Sequence, residues 1–219
     1  MRYRIPAAVA ASAVFALGTG ACGEDDAAST AKPAADAPAP LAQIDQLTAR
    51  DTAVKLDAGF VEALTSLKVA PGPVGTATIT KGGSAVFPIT GGNVTYYEPG
   101  SVSPYVQGEI NHEGSGLSLT AGKTMVELED FVVDPGGSVL TGKVSVNGEE
   151  AVASAPLFFL DGRTLNPLKA KDDGTAVLQG TTVKLKAEAA DLLNKTFKID
   201  ALEEGLVIGV AKITINTQA

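Results

Sequence analysis

The sequence predicts a mainly β domain: an antiparallel sandwich or barrel-like fold, with two short helices set in repeated strand–helix–strand units. Three observations carry this. Turn chemistry recurs at short intervals: GG at 82–83 and 91–92, GSG at 114–116, DPGG at 134–137, NGEE at 147–150, DGR at 161–163 and DDG at 172–174. Several of the segments between these turns alternate apolar and polar residues, as half-buried strands do. A motif of VKLxA, a helical stretch and then [VI]-G-x-A-x-I also occurs twice, near each end of the domain.

The chain begins with Arg2 and Arg4, an unbroken small and apolar run of 11 residues from Ala7 to Leu17, and then Gly18-Thr19-Gly20-Ala21-Cys22. A basic start, a short apolar stretch and a small-residue exit describe a secretory signal over residues 1–21. A membrane-spanning helix needs roughly 17–25 apolar residues, so this run is too short to remain as a span. Cys22 is the single cysteine of the chain, so it closes no internal disulfide. The stretch TGACGEDD resembles a bacterial lipobox, which implies that Cys22 is lipidated and holds the protein on a membrane. Residues 22–50 are rich in Ala, Pro and Asp, with Leu41, Ile44 and Leu47 as the only hints of local order. Such a segment buries too little apolar surface to offset chain entropy and is expected to form a disordered tether.

The domain proper is expected over residues 51–219. VKLDAGFVEALTSLKV at 54–69 starts as a strand and turns helical, with Phe60, Leu64 and Leu67 on one face and Asp57 placed to cap the helix. VKLKAEAADLLNKTFKI, beginning at Val183, repeats the pattern with Ala189, Leu193 and Phe197. Each unit then runs into a similar strand, VGTATIT at 74–80 and IGVAKITI at 208–215. Between the units, Leu117, Leu119 and Ala121 alternate with polar residues, as do Leu140, Val144 and Val146. From Met125 to Val133 the alternation slips: Val126 and Leu128 keep one parity, Phe131 and Val133 the other. A β-bulge near Glu129–Asp130 accounts for the slip.

Composition excludes several functions. The chain carries 17 Lys and Arg against 25 Asp and Glu, a net charge of −8, and the two signal-segment arginines leave with the signal. Without clustered basic residues there is nothing to grip a phosphate backbone, so nucleic acid is not an expected partner. A single histidine, no other cysteine and no tryptophan leave no triad, no nucleophile elbow and no His/Cys metal spacing. The chain reads as a binding protein with no catalytic residues, not as an enzyme.

One stretch concentrates the remaining chemistry. Residues 93–114, NVTYYEPGSVSPYVQGEINHEG, hold Tyr96, Tyr97, Tyr105 and His112, which are the histidine and all the tyrosines beyond Tyr3. Strand parity from Val102 to His112 puts His112 on the apolar face and Tyr105 on the other, unless Gly108 makes a bulge. Tyr96 and Tyr97 face opposite ways.

Residues 108–148 resemble the central part of HtaA-type domains, secreted or surface-anchored haem-binding domains of bacterial iron acquisition. The likeness rests on His112-Glu113-Gly114, on Gly116-Leu117-Ser118-Leu119, on the Asp134 turn and on the Gly142 step of the strand after it. It implies a haem cofactor held by a tyrosine near the first helix and supported by a histidine. His112 matches that histidine, Phe60 stands at about the tyrosine's place, and Tyr97 and Tyr105 are the other candidate ligand-binding residues. The resulting expectation is a membrane-tethered, extracytoplasmic lipoprotein of the cell envelope that binds haem. The alternative is an envelope interaction or structural lipoprotein of the same fold, with a protein partner and no haem.

Overall fold

The computed structural model describes residues 37–48 and 50–217. The signal segment 1–21, Cys22 and most of the expected tether lie outside them. In chain order the strands are β1 (Ala42–Ile44), β2 (Asp51–Leu56), β3 (Ala70–Gly75), β4 (Thr78–Ile79), β5 (Ser84–Pro88), β6 (Gly91–Tyr96), β7 (Val106–Ala121), β8 (Thr124–Asp134), β9 (Val139–Val146), β10 (Glu149–Asp161), β11 (Lys169–Ala170), β12 (Thr175–Leu185) and β13 (Val207–Asn216). Helix α1 (Ala58–Ser66) follows β2, and α2 (Ala187–Phe197) follows β12.

These strands make one antiparallel sheet in the order β1-β6-β7-β8-β9-β10-β12-β13-β2-β5-β4, with β3 on β7 and β11 on β12. The sheet curls into a half-barrel. Strands from its two sides meet where His112 Nδ1 of β7 lies 2.9 Å from the Pro88 carbonyl of β5. The barrel-like alternative of the sequence reading is therefore the one adopted, with one continuous sheet in place of two stacked ones.

Long strands bend at the places where the sequence breaks its alternation. In β8, Val126 and Leu128 are buried, and so are Phe131 and Val133, on the opposite parity. The register against β9 jumps between Glu129 and Val132, and Asp130 has φ of 53°. This is the expected bulge. It is pinned from both sides: the Asp130 carboxylate accepts the Gly114 amide at 2.8 Å, and Lys143 sits 3.3 Å from Glu129 and 3.2 Å from Asp130. The Gly114 bond, ahead of the Lys143 pairing, holds the Asp130 carboxyl below its ordinary range. On β7 the matching shift falls between His112 and Gly116, where a side chain on Gly116 would lie 2.1 Å from the Leu128 carbonyl.

Both expected helices form. Asp57 caps α1 by accepting the amides of Gly59 at 2.8 Å and Phe60 at 3.3 Å, and Phe60 and Leu64 are buried beneath it. On α2, Ala189, Ala190 and Leu193 are buried, and Phe197 packs half-buried against the same core. The repeat is faithful through strand and helix, then diverges. β13 is one long strand lying between β12 and β2, so that Gly209 is the partner of both Val183 and Leu56. Its counterpart breaks at Gly75 (φ 59°), with β3 pairing on β7 and β4 turning away to β5. Only glycine fits at the break: a side chain on Gly75 would meet the Gly114 carbonyl at 2.0 Å.

The tether boundary expected at residue 50 lies too late. Ala42–Ile44 pair with Tyr96–Val94 as strand β1, and Leu47 is buried in the core. Ile44 and Leu47 dock, while Leu41 stays exposed, because β6 offers the segment an open edge that composition does not reveal.

Candidate functional site

The concave face of the half-barrel encloses a cavity of about 530 Å³ with overwhelmingly apolar walls. Strand register explains its construction. Ile110, Val133, Leu140 and Phe158 are successive cross-strand partners on β7, β8, β9 and β10, so one residue from each strand contributes to an apolar ring. From the facing strands, Val54, Ile213 and Val183 complete the enclosure. Tyr96 on β6 and Tyr105 in the loop before β7 close the open side. Their rings meet edge-to-face at 5.8 Å, and the Leu168 amide donates to the Tyr96 hydroxyl at 3.5 Å across the lumen.

His112 lies one register step inside the ring, opposite Phe131. It is 1% exposed. Nδ1 is 2.9 Å from the Pro88 carbonyl, which only accepts, so Nδ1 carries the proton and Nε2 accepts from the Thr52 hydroxyl at 3.2 Å. Phe87 meets His112 edge-on at 6.3 Å and Phe131 at 5.3 Å. Burial pushes the imidazole pKa down; the Pro88 and Phe87 carbonyl bonds and the Asp51 charge pull less strongly the other way. The floor of the lumen is thus a neutral imidazole with both nitrogens already engaged.

The four candidate side chains separate. His112 and Tyr105 both border the lumen; Tyr97 and Phe60 do not. Phe60 is 5% exposed, within the apolar core under α1. Tyr97 is half-buried, and its amide donates to the Tyr105 carbonyl at 2.7 Å. Parity places His112 as expected. For Tyr105 parity does not apply, because the residue precedes β7 and sits in a loop. No bulge at Gly108 brings it round: the pairing of β6 and β7 runs without a shift through Gly108, opposite Val94. Gly108 serves close approach instead, since a side chain there would come within 2.2 Å of the Asn93 carbonyl. Burial, then the neighbouring Tyr96, pushes the Tyr105 phenol up.

The sequence reading missed the charged rim. DGR at 161–163 was legible only as a turn, yet it places two charges, Asp161 and Arg163, at the edge of the cavity. Arg163 holds the Asp161 carboxylate through Nε at 2.8 Å and Nη2 at 2.6 Å, and Lys184 reaches the same carboxylate at 2.8 Å. These hydrogen bonds, Arg163 first, hold the Asp161 carboxyl well below the usual carboxylate range. The Asp161 side chain is 7% exposed and that of Arg163 is 82% exposed. The local signal for Asp161–Arg163 is an acid and a base two residues apart; Lys184, 23 positions on, carries no local signal.

Among the described residues no group of three or more His, Cys, Asp or Glu is placed to hold a metal ion, and no helix is long and apolar enough to cross a membrane. No protein-family model matches the sequence, and no curated protein matches it. Solved structures do. The crystal structure of the C-terminal domain of HtaA from Corynebacterium glutamicum superposes with a TM-score of 0.54 at 13% identity, covering 78% of this chain and 98% of that domain. A domain-swapped dimer of a histidine-to-alanine variant of the same domain gives a TM-score of 0.45 at 12% identity, covering 74% and 92%. The first likeness defines the fold class, a β half-barrel. More particularly, this chain has the fold of an HtaA-type domain.

Proposed function

We propose that this chain is a membrane-tethered, extracytoplasmic binding module that takes a bulky apolar molecule into the half-barrel lumen. One observation carries the reading: a cavity of about 530 Å³ is walled mostly by apolar side chains, with its charged groups, Asp161 and Arg163, at the rim and its histidine sealed by two hydrogen bonds. That volume falls within the roughly 300–1,000 Å³ of small-molecule sites, which are mostly apolar with few polar anchors. Tethering rests on the signal and Cys22. Binding without catalysis rests on the lone histidine, whose nitrogens face Thr52 and Pro88 and leave no base exposed.

Haem is the ligand that the sequence resemblance implies. The walls suit the apolar bulk of a macrocycle, but the donors do not suit its iron. His112 has no free nitrogen, Phe60 lies outside the lumen, and burial pushes the Tyr105 phenol further from its phenolate form. The residues present do not supply an axial ligand, and no role for iron is derived.

Two measurements test the reading. Cell fractionation should find the Cys22→Ser protein released from membranes; retention with an uncleaved N-terminus would refute the tether. The purified protein should bind an apolar fluorophore at one per chain and give no saturating Soret shift with haem. A saturating Soret shift at one haem per chain would reinstate haem as the ligand, while no binding of any apolar probe would favour the envelope interaction protein.

A further inference from the structure

Resting on the lumen-binding reading, we infer that the occupant is a single-chain anionic amphiphile of the fatty-acid class, its tail in the half-barrel and its carboxylate on Arg163. The lumen is asymmetric along its depth. At the rim stand Asp161 and Arg163, with Lys184 outside the cavity wall on the same carboxylate: two cations and one carboxylate, a local charge of +1 on an otherwise acidic protein. Inside the rim comes the apolar ring of Ile110, Val133, Leu140 and Phe158, and beyond it the neutral His112. A ligand matching this sequence of environments has one anionic end and an uncharged remainder that asks for no hydrogen bonds.

The sign of the head group follows from which rim charges are already spent. Asp161 is nearly buried and accepts from Arg163 Nε, Arg163 Nη2 and Lys184 Nζ, so it offers nothing to an incoming cation. The Arg163 side chain is largely in solvent, its Nη1 lies outside both bonds to Asp161, and Arg163 itself borders the cavity. A guanidinium held flat by one carboxylate presents its remaining donors in a fixed direction, which suits a second carboxylate. The two propionates of a porphyrin would ask for a second cation; Lys184 points to Asp161 and is not part of the cavity wall.

The test uses the full chain with Cys22→Ser, purified without detergent, and displacement of anilinonaphthalene sulfonate as the readout. Palmitate should displace the probe at one per chain, and each methylene removed from the tail should weaken binding about fourfold, the equivalent of ~0.8 kcal/mol. Arg163→Ala should weaken palmitate about tenfold at low salt and leave hexadecanol, which has the same tail and no charge, unchanged. Lysophosphatidylcholine, with a zwitterionic head, should bind more weakly than palmitate and ignore Arg163→Ala. Equal palmitate binding by wild type and Arg163→Ala would overturn the head-group assignment while leaving lumen binding intact. Affinity independent of tail length would overturn the tail's placement. Failure of palmitate, hexadecanol and the probe alike would refute the lumen-binding reading itself.

Discussion

Replacing His112 by alanine tests the floor of the lumen. In the folded protein the imidazole donates to the Pro88 carbonyl and accepts from the Thr52 hydroxyl, and it fills space beside Phe87 at 1% exposure. Orphaning a buried polar group costs about 1–3 kcal/mol, and truncating a buried ring adds the cost of the void. The Thr52 hydroxyl can rotate and solvent in the lumen can fill part of the gap, so the lower ends apply and the sum is roughly 3 kcal/mol. For a domain of this size that is a fall in Tm of about 6–12 °C. The pH dependence supplies a second readout. Burial lowers the native pKa of His112 below its unfolded value of 6.5, so between the two values the unfolded chain binds more protons than the folded one. The stabilisation is complete above the unfolded pKa and declines as pH falls toward the native one, with a limiting slope of about 1.4 kcal/mol per pH unit. His112 is the single histidine, so the slope just below 6.5 belongs to it. Urea denaturation of both proteins across this range should show the wild-type advantage shrinking as pH drops. A cost under about 1 kcal/mol at neutral pH, or identical pH slopes, would refute the sealed-imidazole argument.

Three further outcomes are expected. Asp57→Ala removes the cap of α1 and should cost about 1 kcal/mol by chemical denaturation, leaving probe binding unchanged. Gly108→Ala forces a side chain onto a backbone at φ 118° and to within 2.2 Å of the Asn93 carbonyl, so at least ~2 kcal/mol of stability should be lost. Phe60→Tyr buries a hydroxyl under α1 away from the lumen; stability should fall by about 1–3 kcal/mol and no Soret response to haem should appear.

What the sequence by itself determined is local in origin. Turn residues and two-residue alternation specified strands, the Asp57 cap and the spacing of Phe60 and Leu64 specified a helix, and the parity slip at Glu129–Asp130 specified a bulge. Each of these signals is a backbone preference or a burial pattern within a few residues. Parity also placed His112 inward. Tertiary structure decided the rest, because those contacts join residues far apart in the chain. Thr52 meets His112 across 60 positions, Lys184 meets Asp161 across 23, and Leu168 meets Tyr96 across 72. The curl of the sheet, not any motif, makes a lumen from residues on many strands. It also leaves Phe60 in the core, engages both nitrogens of His112 and puts Arg163 at the rim, and no short stretch of sequence encodes those distances.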